Sequence, residues 1–280
     1  MSAGFEVLDS GLQTTVQDQG RPGFAHLGVP RSGALDRGAL AVANRLVGNP
    51  PDAAVLETTL TGCVLRARGT QVVAVTGAFA EVEVDGRSMP WGTRVVVPDQ
   101  GTLRVGPALH GARSILAAAG GIAVEPVLGS RSCDTLSGLG PAPLASGDVV
   151  PVERSSPFTD DEPAEVAFQP PSRRLRLRSG PHRDWCDAND LSEATWTVSS
   201  MSNRVGLRLE GARIVRRTGE IRSFGMIAGA VQLPPSGHPI VLLADHATTG
   251  GYPVVAVVAD EDLDACAQWR PGDEITSSWQ

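Results

Sequence analysis

The chain has 280 residues, 41% of them hydrophobic, and a formal net charge of −7. That length allows two domains or one large one, and the acidic balance argues against nucleic acid or an anionic membrane as the main partner. There is no lysine: all 24 basic residues are arginine. A Walker-type phosphate loop, a pyridoxal Schiff base, a biotin attachment point and a Ser-Ser-Lys amidase each need a lysine, so this chain alone is none of them.

Other common signatures are also missing: no GxSxG, no GxGxxG and no HExxH. Cys63, Cys133, Cys186 and Cys266 are scattered without a CxxC, which predicts buried free thiols and argues against structural zinc. The chain opens MSAGFEVLDSG, without a basic-then-apolar leader. Its longest uncharged apolar stretch, near Ser114 to Val124, is far short of a membrane span. The expectation is a soluble cytoplasmic protein.

In chain order, the first feature is a loop, GLQTTVQDQGRPGFAHLGVPRSGALD, from Gly11 to Asp36. Its five glycines expose backbone N–H groups that can form an anion-binding nest, with Arg21 and Arg31 as bidentate partners for a carboxylate or phosphate. Asp36 to Val47 reads as a helix: Leu40, Ala43, Leu46 and Val47 share one face, Asp36 caps the start, and Gly48 and Pro50 stop it. Strands are predicted at Gln71–Thr76, Arg94–Val97, Leu103–Val105 and Ser114–Ala118. Val82 to Arg87 is predicted as a hairpin turning on Asp85-Gly86. A second polar cluster, Gly129-Ser130-Arg131-Ser132-Cys133-Asp134, follows Gly120-Gly121.

The segment Glu153 to Ser172 is rich in proline, serine and acids. It places a linker at residues 156–172 between two β-rich halves, 1–155 and 173–280. Alternation then puts Arg174, Arg176 and Arg178 on one strand face, read as solvated, and Leu175 and Leu177 on the other. Trp196–Val198 also alternates. Ser202, Asn203 and Arg204 precede a strand in SSMSNRVGLRLE. Gln232 stands alone in an apolar run, where its amide must find a hydrogen bond. Ile240–Leu243 and Val254–Val258 flank ADHATTGGYP, which carries more polar groups than a plain hairpin loop needs. A short helix, Asp262–Trp269, and a strand, Glu274–Ser277, close the chain.

These stretches, in this order, resemble one family. GLQTTVQDQGRPGFAHLGVPRSGALD, NRLVGNPPDAAVLETTLTG, AAAGGIAVEPVLGSRSCD, SNRVGLRLEG, GAVQLPPSGHPIVLLAD and TTGGYPVVAVV are similar to the carboxyltransferase-like family called allophanate hydrolase subunit 2. Its members include the C-type component of bacterial ATP-dependent 5-oxoprolinase, the carboxyltransferase part of urea carboxylase and a regulator of a sporulation kinase inhibitor. The resemblance covers about Leu12 to Ile275. It implies a mainly β fold of two cyclophilin-like barrel halves with few short helices and a cleft between them. It also implies a B-type cyclophilin-like partner and, under the 5-oxoprolinase reading, a separate A-type subunit, with ATP and Mg²⁺ as reactants. Biotin enters only if the chain is a carboxyltransferase; a non-catalytic regulatory subunit is the third reading.

With motif membership as support, residue chemistry nominates Asp36, Glu57, Asp245 and His246 for catalysis: the acids to hold metal or orient water, His246 to donate a proton. Arg21, Arg131 and Arg204 are the candidate anion clamps. Thr248, Thr249, Gly250 and Gly251 form a candidate phosphate or oxyanion cradle. His26, Ser32, Ser202, Gln232 and Tyr252 complete the candidate binding set. No dedicated protein metal site is expected. The chain departs from the family pattern at Asn203, Phe224, His246 and Ala247, where the family often has Asp, Glu, Arg and Gln.

Overall fold

The structure is a computed structural model that describes residues 3–154, 165–192 and 194–280. It is mainly β and divides into two compact units. The first comprises residues 1–21, 36–134 and 138–170; the second comprises 22–35, 135–137 and 171–280.

The first unit contains β1 (Gly4–Asp9), β2 (Thr14–Gln17), α1 (Arg37–Leu46), β3 (Val55–Thr59), β4 (Cys63–Arg68), β5 (Gln71–Val84), β6 (Arg87–Met89), β7 (Arg94–Val97), β8 (Thr102–Ala118) and β9 (Val149–Pro151). Nine strands form one curled sheet. Its main path runs β2-β3-β8-β4-β1-β9, with β5 paired to β6, β7 and β8. Phe5, Val16, Leu56, Leu65, Val75, Leu103 and Leu116 fill its core. The hairpin turns at Asp85 and Gly86, both with positive φ, as the Asp-Gly pair predicts. The Asp36 carboxylate accepts from the Ala39 amide at 2.8 Å and caps α1, while Leu40, Ala43 and Leu46 are buried. Such a cap is worth about 1 kcal/mol.

One prediction needs correction here. Leu103–Val105 and Ser114–Ala118 are ends of a single strand, β8. The register of β8 against β5 shifts three times between Gly77 and Val82. Each shift breaks the period of two, so the sequence reads as two short strands. Residues 156–164 of the predicted linker lie outside the described residues. Beyond them, Val166 donates to the Gly92 carbonyl at 2.9 Å, and the Phe168 ring lies 5.5 Å from Phe79 and 5.6 Å from Trp91.

The second unit contains β10 (Arg174–Ser179), α2 (Ala188–Ser192), β11 (Thr195–Val198), β12 (Gly206–Glu210), β13 (Phe224–Gly225), β14 (Ala230–Gln232), β15 (Ile240–Leu242), β16 (Thr249–Gly250), β17 (Val254–Val258), α3 (Asp260–Gln268) and β18 (Glu274–Trp279). Seven strands close a barrel in the order β10-β17-β14-β15-β12-β11-β18. Leu175, Leu177, Trp196, Leu209, Val231, Val241, Val255 and Ile275 fill it. On β10 the leucines point inward and the arginines outward. Arg176 pairs with Asp262 at 2.7 Å and Arg173 with Asp273 at 2.9 Å, so the basic run is balanced by acids.

The strands flanking ADHATTGGYP are not hairpin partners. β15 and β17 pair with opposite edges of the three-residue strand β14. The segment between them is a crossing loop at the barrel rim. Within it, β16 pairs with β13 in a separate two-stranded ribbon. Cys63, Cys133 and Cys266 are buried, whereas Cys186 is only half-buried. Burial pushes the Cys63 thiol up to about 12 and raises that of Cys266 further, so neither is a nucleophile at neutral pH. No helix among the described residues is long and apolar enough to cross a membrane.

Candidate functional site

The rim of the second unit's barrel is organised by one carboxylate. Asp245 is fully buried and accepts five hydrogen bonds. Ser32 Oγ donates to Oδ1 at 2.7 Å. The Thr135 amide and hydroxyl reach Oδ2 at 3.0 and 2.7 Å. Arg204 spans both oxygens, Nε to Oδ2 at 2.9 Å and Nη2 to Oδ1 at 3.1 Å. Arg204 Nη2 also donates to the Gly33 carbonyl at 2.6 Å. Burial pushes the Asp245 carboxyl up, but the Arg204 charge and the Arg204 and Thr135 hydrogen bonds outweigh it and hold the group below the usual carboxylate range.

Both expected site residues are engaged in holding loops. Asp245 has no lone pair to spare for a metal or a proton, and Arg204 is spent on Asp245 and Gly33. Together they tie loop 32–33, Thr135 and the ADHATTGGYP loop to the barrel. Ser32 is held at a φ of 55°, a left-handed conformation costly for serine, with its amide bonded to the Ala244 carbonyl at 3.1 Å. The Asp245 contact stabilises that strained residue. Thr135 escaped the sequence reading although it directly follows the Gly129–Asp134 cluster.

Past Asp245, His246 Nδ1 lies 2.8 Å from the Ala247 carbonyl. A carbonyl only accepts, so Nδ1 carries the hydrogen of this contact. Thr248 and Thr249 lead into β16: the Met226 amide donates to the Thr248 carbonyl at 2.9 Å, and Phe224 pairs with Gly250. Gln232, at the end of β14, lies beside Gly250. A Cβ on Gly250 would sit 2.8 Å from Gln232 Nε2 and 2.8 Å from Met226 Cε. Gly251 and Tyr252 then line an open groove of about 610 Å³ with Arg216, Gly219, Glu220, Ile221 and Pro235. His182 packs nearby, its ring 4.8 Å from Phe224. Two predicted residues stand apart from this arrangement. His26 is exposed in a 3₁₀ turn, with Nδ1 3.0 Å from the Gly23 carbonyl. The Ser202 hydroxyl takes the Arg208 amide at 3.0 Å. At the departure site beside it, Asn203 Oδ1 accepts from Val205 at 2.9 Å, a turn contact that either an amide or an acid can make.

In the first unit, Asp18 plays a comparable organising part. It accepts from Gly20, Ser130, Arg131 and Ser132 at 2.5 to 2.7 Å. Arg131 is not a free clamp, since Nε donates to the Val124 carbonyl at 2.8 Å and Nη2 pairs with Glu153 at 3.0 Å. Asp36 caps α1, and Glu57 is buried 3.6 Å from Arg113; neither carboxylate is an open acid. Arg21 differs. It is 1% exposed, its Nε donates to the Val127 carbonyl and its Nη2 to the Ser132 carbonyl. Among the described residues its Nη1 has no hydrogen-bond partner. Among the same residues no three His, Cys, Asp or Glu converge as a metal cage.

The family "Carboxyltransferase domain, subdomain A and B" matches residues 27–278. The chain belongs to this carboxyltransferase-domain family. It is 38% identical to the C component of 5-oxoprolinase from Escherichia coli (strain K12), over 96% of this chain and 89% of that protein. The crystal structure of TTHA0988 superposes with a TM-score of 0.89 at 38% identity, covering 100% of this chain and 56% of the other. The urea amidolyase of K. lactis superposes with a TM-score of 0.90 at 28% identity, covering 99% of this chain and 18% of the other. The chain thus spans little more than half of the first solved protein and under a fifth of the second.

Proposed function

We propose that the chain is the C-type subunit of an ATP-dependent 5-oxoprolinase. It works with a B-type cyclophilin-like partner and an A-type subunit to open the lactam of 5-oxoproline to glutamate. The observation that carries this reading is the 38% identity along 89% of the Escherichia coli 5-oxoprolinase component. The match to urea amidolyase is weaker and confined to a small part of a much longer chain.

Amide resonance makes the lactam resistant to water. In the proposed reaction the lactam oxygen attacks the γ-phosphorus of ATP and ADP leaves. Water then attacks the ring carbon and the ring C–N bond breaks as its nitrogen takes a proton, leaving an acyl phosphate that a second water hydrolyses to the carboxylate and free phosphate. The protein's part is placement and charge neutralisation. Arg21 is the predicted clamp with a donor left over among the described residues, which suits it to an anionic group. His246, in the loop that leads to β16, is the candidate proton donor. Asp245, Ser32, Thr135 and Arg204 fix the loops. A Mg²⁺ ion arriving on the ATP phosphates needs only one or two protein carboxylates; Asp245, with all its oxygens engaged, does not fit that role.

The test is co-expression with the B-type subunit, followed by ADP and glutamate assays with and without 5-oxoproline and the A-type subunit. ADP release that depends on 5-oxoproline supports the reading; its absence from the full assembly overturns it. The family name favours a second reading, a biotin-dependent carboxyltransferase that takes its carboxyl group from a carrier on another protein. Inhibition of turnover by avidin would select that reading instead.

A further inference from the structure

Gln232 is the unusual polar group of the second unit. Its side chain is 8% exposed, yet its one hydrogen bond among the described residues is Nε2 to the Met226 thioether at 3.5 Å, a weak acceptor. Oε1 accepts nothing from those residues and is not fully sealed from solvent. The amide thus keeps hydrogen-bonding capacity that the described residues do not use.

The φ of Gly250 is ordinary, so its backbone does not require glycine; space does. A methyl group there would press on the Gln232 amide and on Met226. The chain on either side leads into the groove: Gly250 to Gly251 and Tyr252, and Gln232 to Pro235. Arg216 lines the same groove. Its guanidinium lies 5.6 Å from the Trp185 ring centroid and has no carboxylate partner among the described residues.

We propose that Gln232 reads a cis-amide edge of the substrate, the substrate being a cyclic amide or ureido ring that carries a carboxylate met by Arg216. A primary carboxamide presents C=O and N–H on one edge. A lactam or cyclic urea presents N–H and C=O on one edge too, because ring closure forces the amide cis. The two edges pair through two N–H···O=C bonds. An open-chain peptide amide is trans and presents only one of the two groups on an edge. Glutamate, the opened product, no longer has the ring edge. The inference rests on the amide-substrate reading above but names the group that recognises the ring.

The test measures binding to the full chain in complex with its B-type subunit, by calorimetry. The probes are 5-oxoproline, 2-pyrrolidinone, N-methyl-2-pyrrolidinone and 2-imidazolidinone. Wild type is expected to bind the N–H lactam about 10- to 100-fold more tightly than the N-methyl lactam, the range for losing one or two buried hydrogen bonds. Q232M is expected to erase that preference with an unchanged melting midpoint, whereas Q232E, which keeps an acceptor for the ring N–H but loses the donor to the ring carbonyl, is expected to weaken both lactams. R216Q is expected to weaken 5-oxoproline and leave 2-pyrrolidinone unchanged. Equal binding of N–H and N-methyl lactams by wild type overturns the proposal, whether or not the variants fold. So does an unchanged preference in Q232M, or failure to bind any probe. Binding of 2-imidazolidinone that depends on Gln232, without turnover of 5-oxoproline, would retain the amide-edge site and remove the 5-oxoprolinase reading.

Discussion

Two buried arginines, one in each unit, are handled in opposite ways. Arg204 meets Asp245 through two nitrogens and is closed off. Arg21 is just as buried, yet it is held by two backbone carbonyls, with Nη1 unpaired among the described residues. Leaving a buried charged donor without a partner is costly, which sets Arg21 apart from Arg204. The difference separates a group that fixes loops within its unit from one with a donor left over. Sequence position alone made both look like clamps.

The largest effect should come from breaking the closed pair. Asp245→Ala leaves Arg204 buried without its counter-ion and is expected to cost about 3–5 kcal/mol of unfolding free energy in a denaturant titration. Arg21→Met should behave in the reverse way. It removes a buried group with no ion-pair partner but also the donors to two carbonyls, so stability should fall less than in Asp245→Ala, while kcat/KM of the assembled enzyme falls about 10- to 100-fold, the scale of a lost charged hydrogen bond. If Arg21→Met destabilises as much as Asp245→Ala, the contrast between the two arginines fails.

A smaller effect is set by pH. The Asp245 carboxyl is lower in the folded protein than in the unfolded chain. Its stabilisation is therefore present above the ordinary carboxylate value and is lost as pH falls through the folded value. The stability gap between wild type and Asp245→Asn should narrow on acidification across that window; a gap independent of pH would show that the carboxylate's charge is not what matters. The smallest effect is at Ser32. Ser32→Gly loses the contact to Asp245 but relieves the left-handed strain, so it should lie within about 1 kcal/mol of wild type. Ser32→Ala, which keeps the strain, should be the worse of the two.

What could be read from the sequence was local. Asp85-Gly86 marked its hairpin, Asp36 with Leu40, Ala43 and Leu46 marked α1, and the alternation of Arg174 to Arg178 marked the two faces of β10. What could not be read depended on distant partners. Three register shifts between β5 and β8 hid one long strand. The three-residue β14, too short to stand out, separates β15 from β17 and makes ADHATTGGYP a crossing loop. Ser32, Arg204 and Asp245 were all recognised as candidates, but their roles were not. The partners that saturate Asp245 lie 41, 110 and 213 residues away. The isolation of Gln232 in an apolar run was visible; that its amide lacks a proper partner was not.

The most direct measurement is a carbon-13 NMR time course of labelled 5-oxoproline with ATP, the B-type and A-type subunits, and this chain. The account predicts that the lactam carbonyl signal is replaced by that of glutamate only when this chain and ATP are both present. A complete assembly that leaves the lactam signal unchanged, or that opens the ring equally well without this chain, would contradict it.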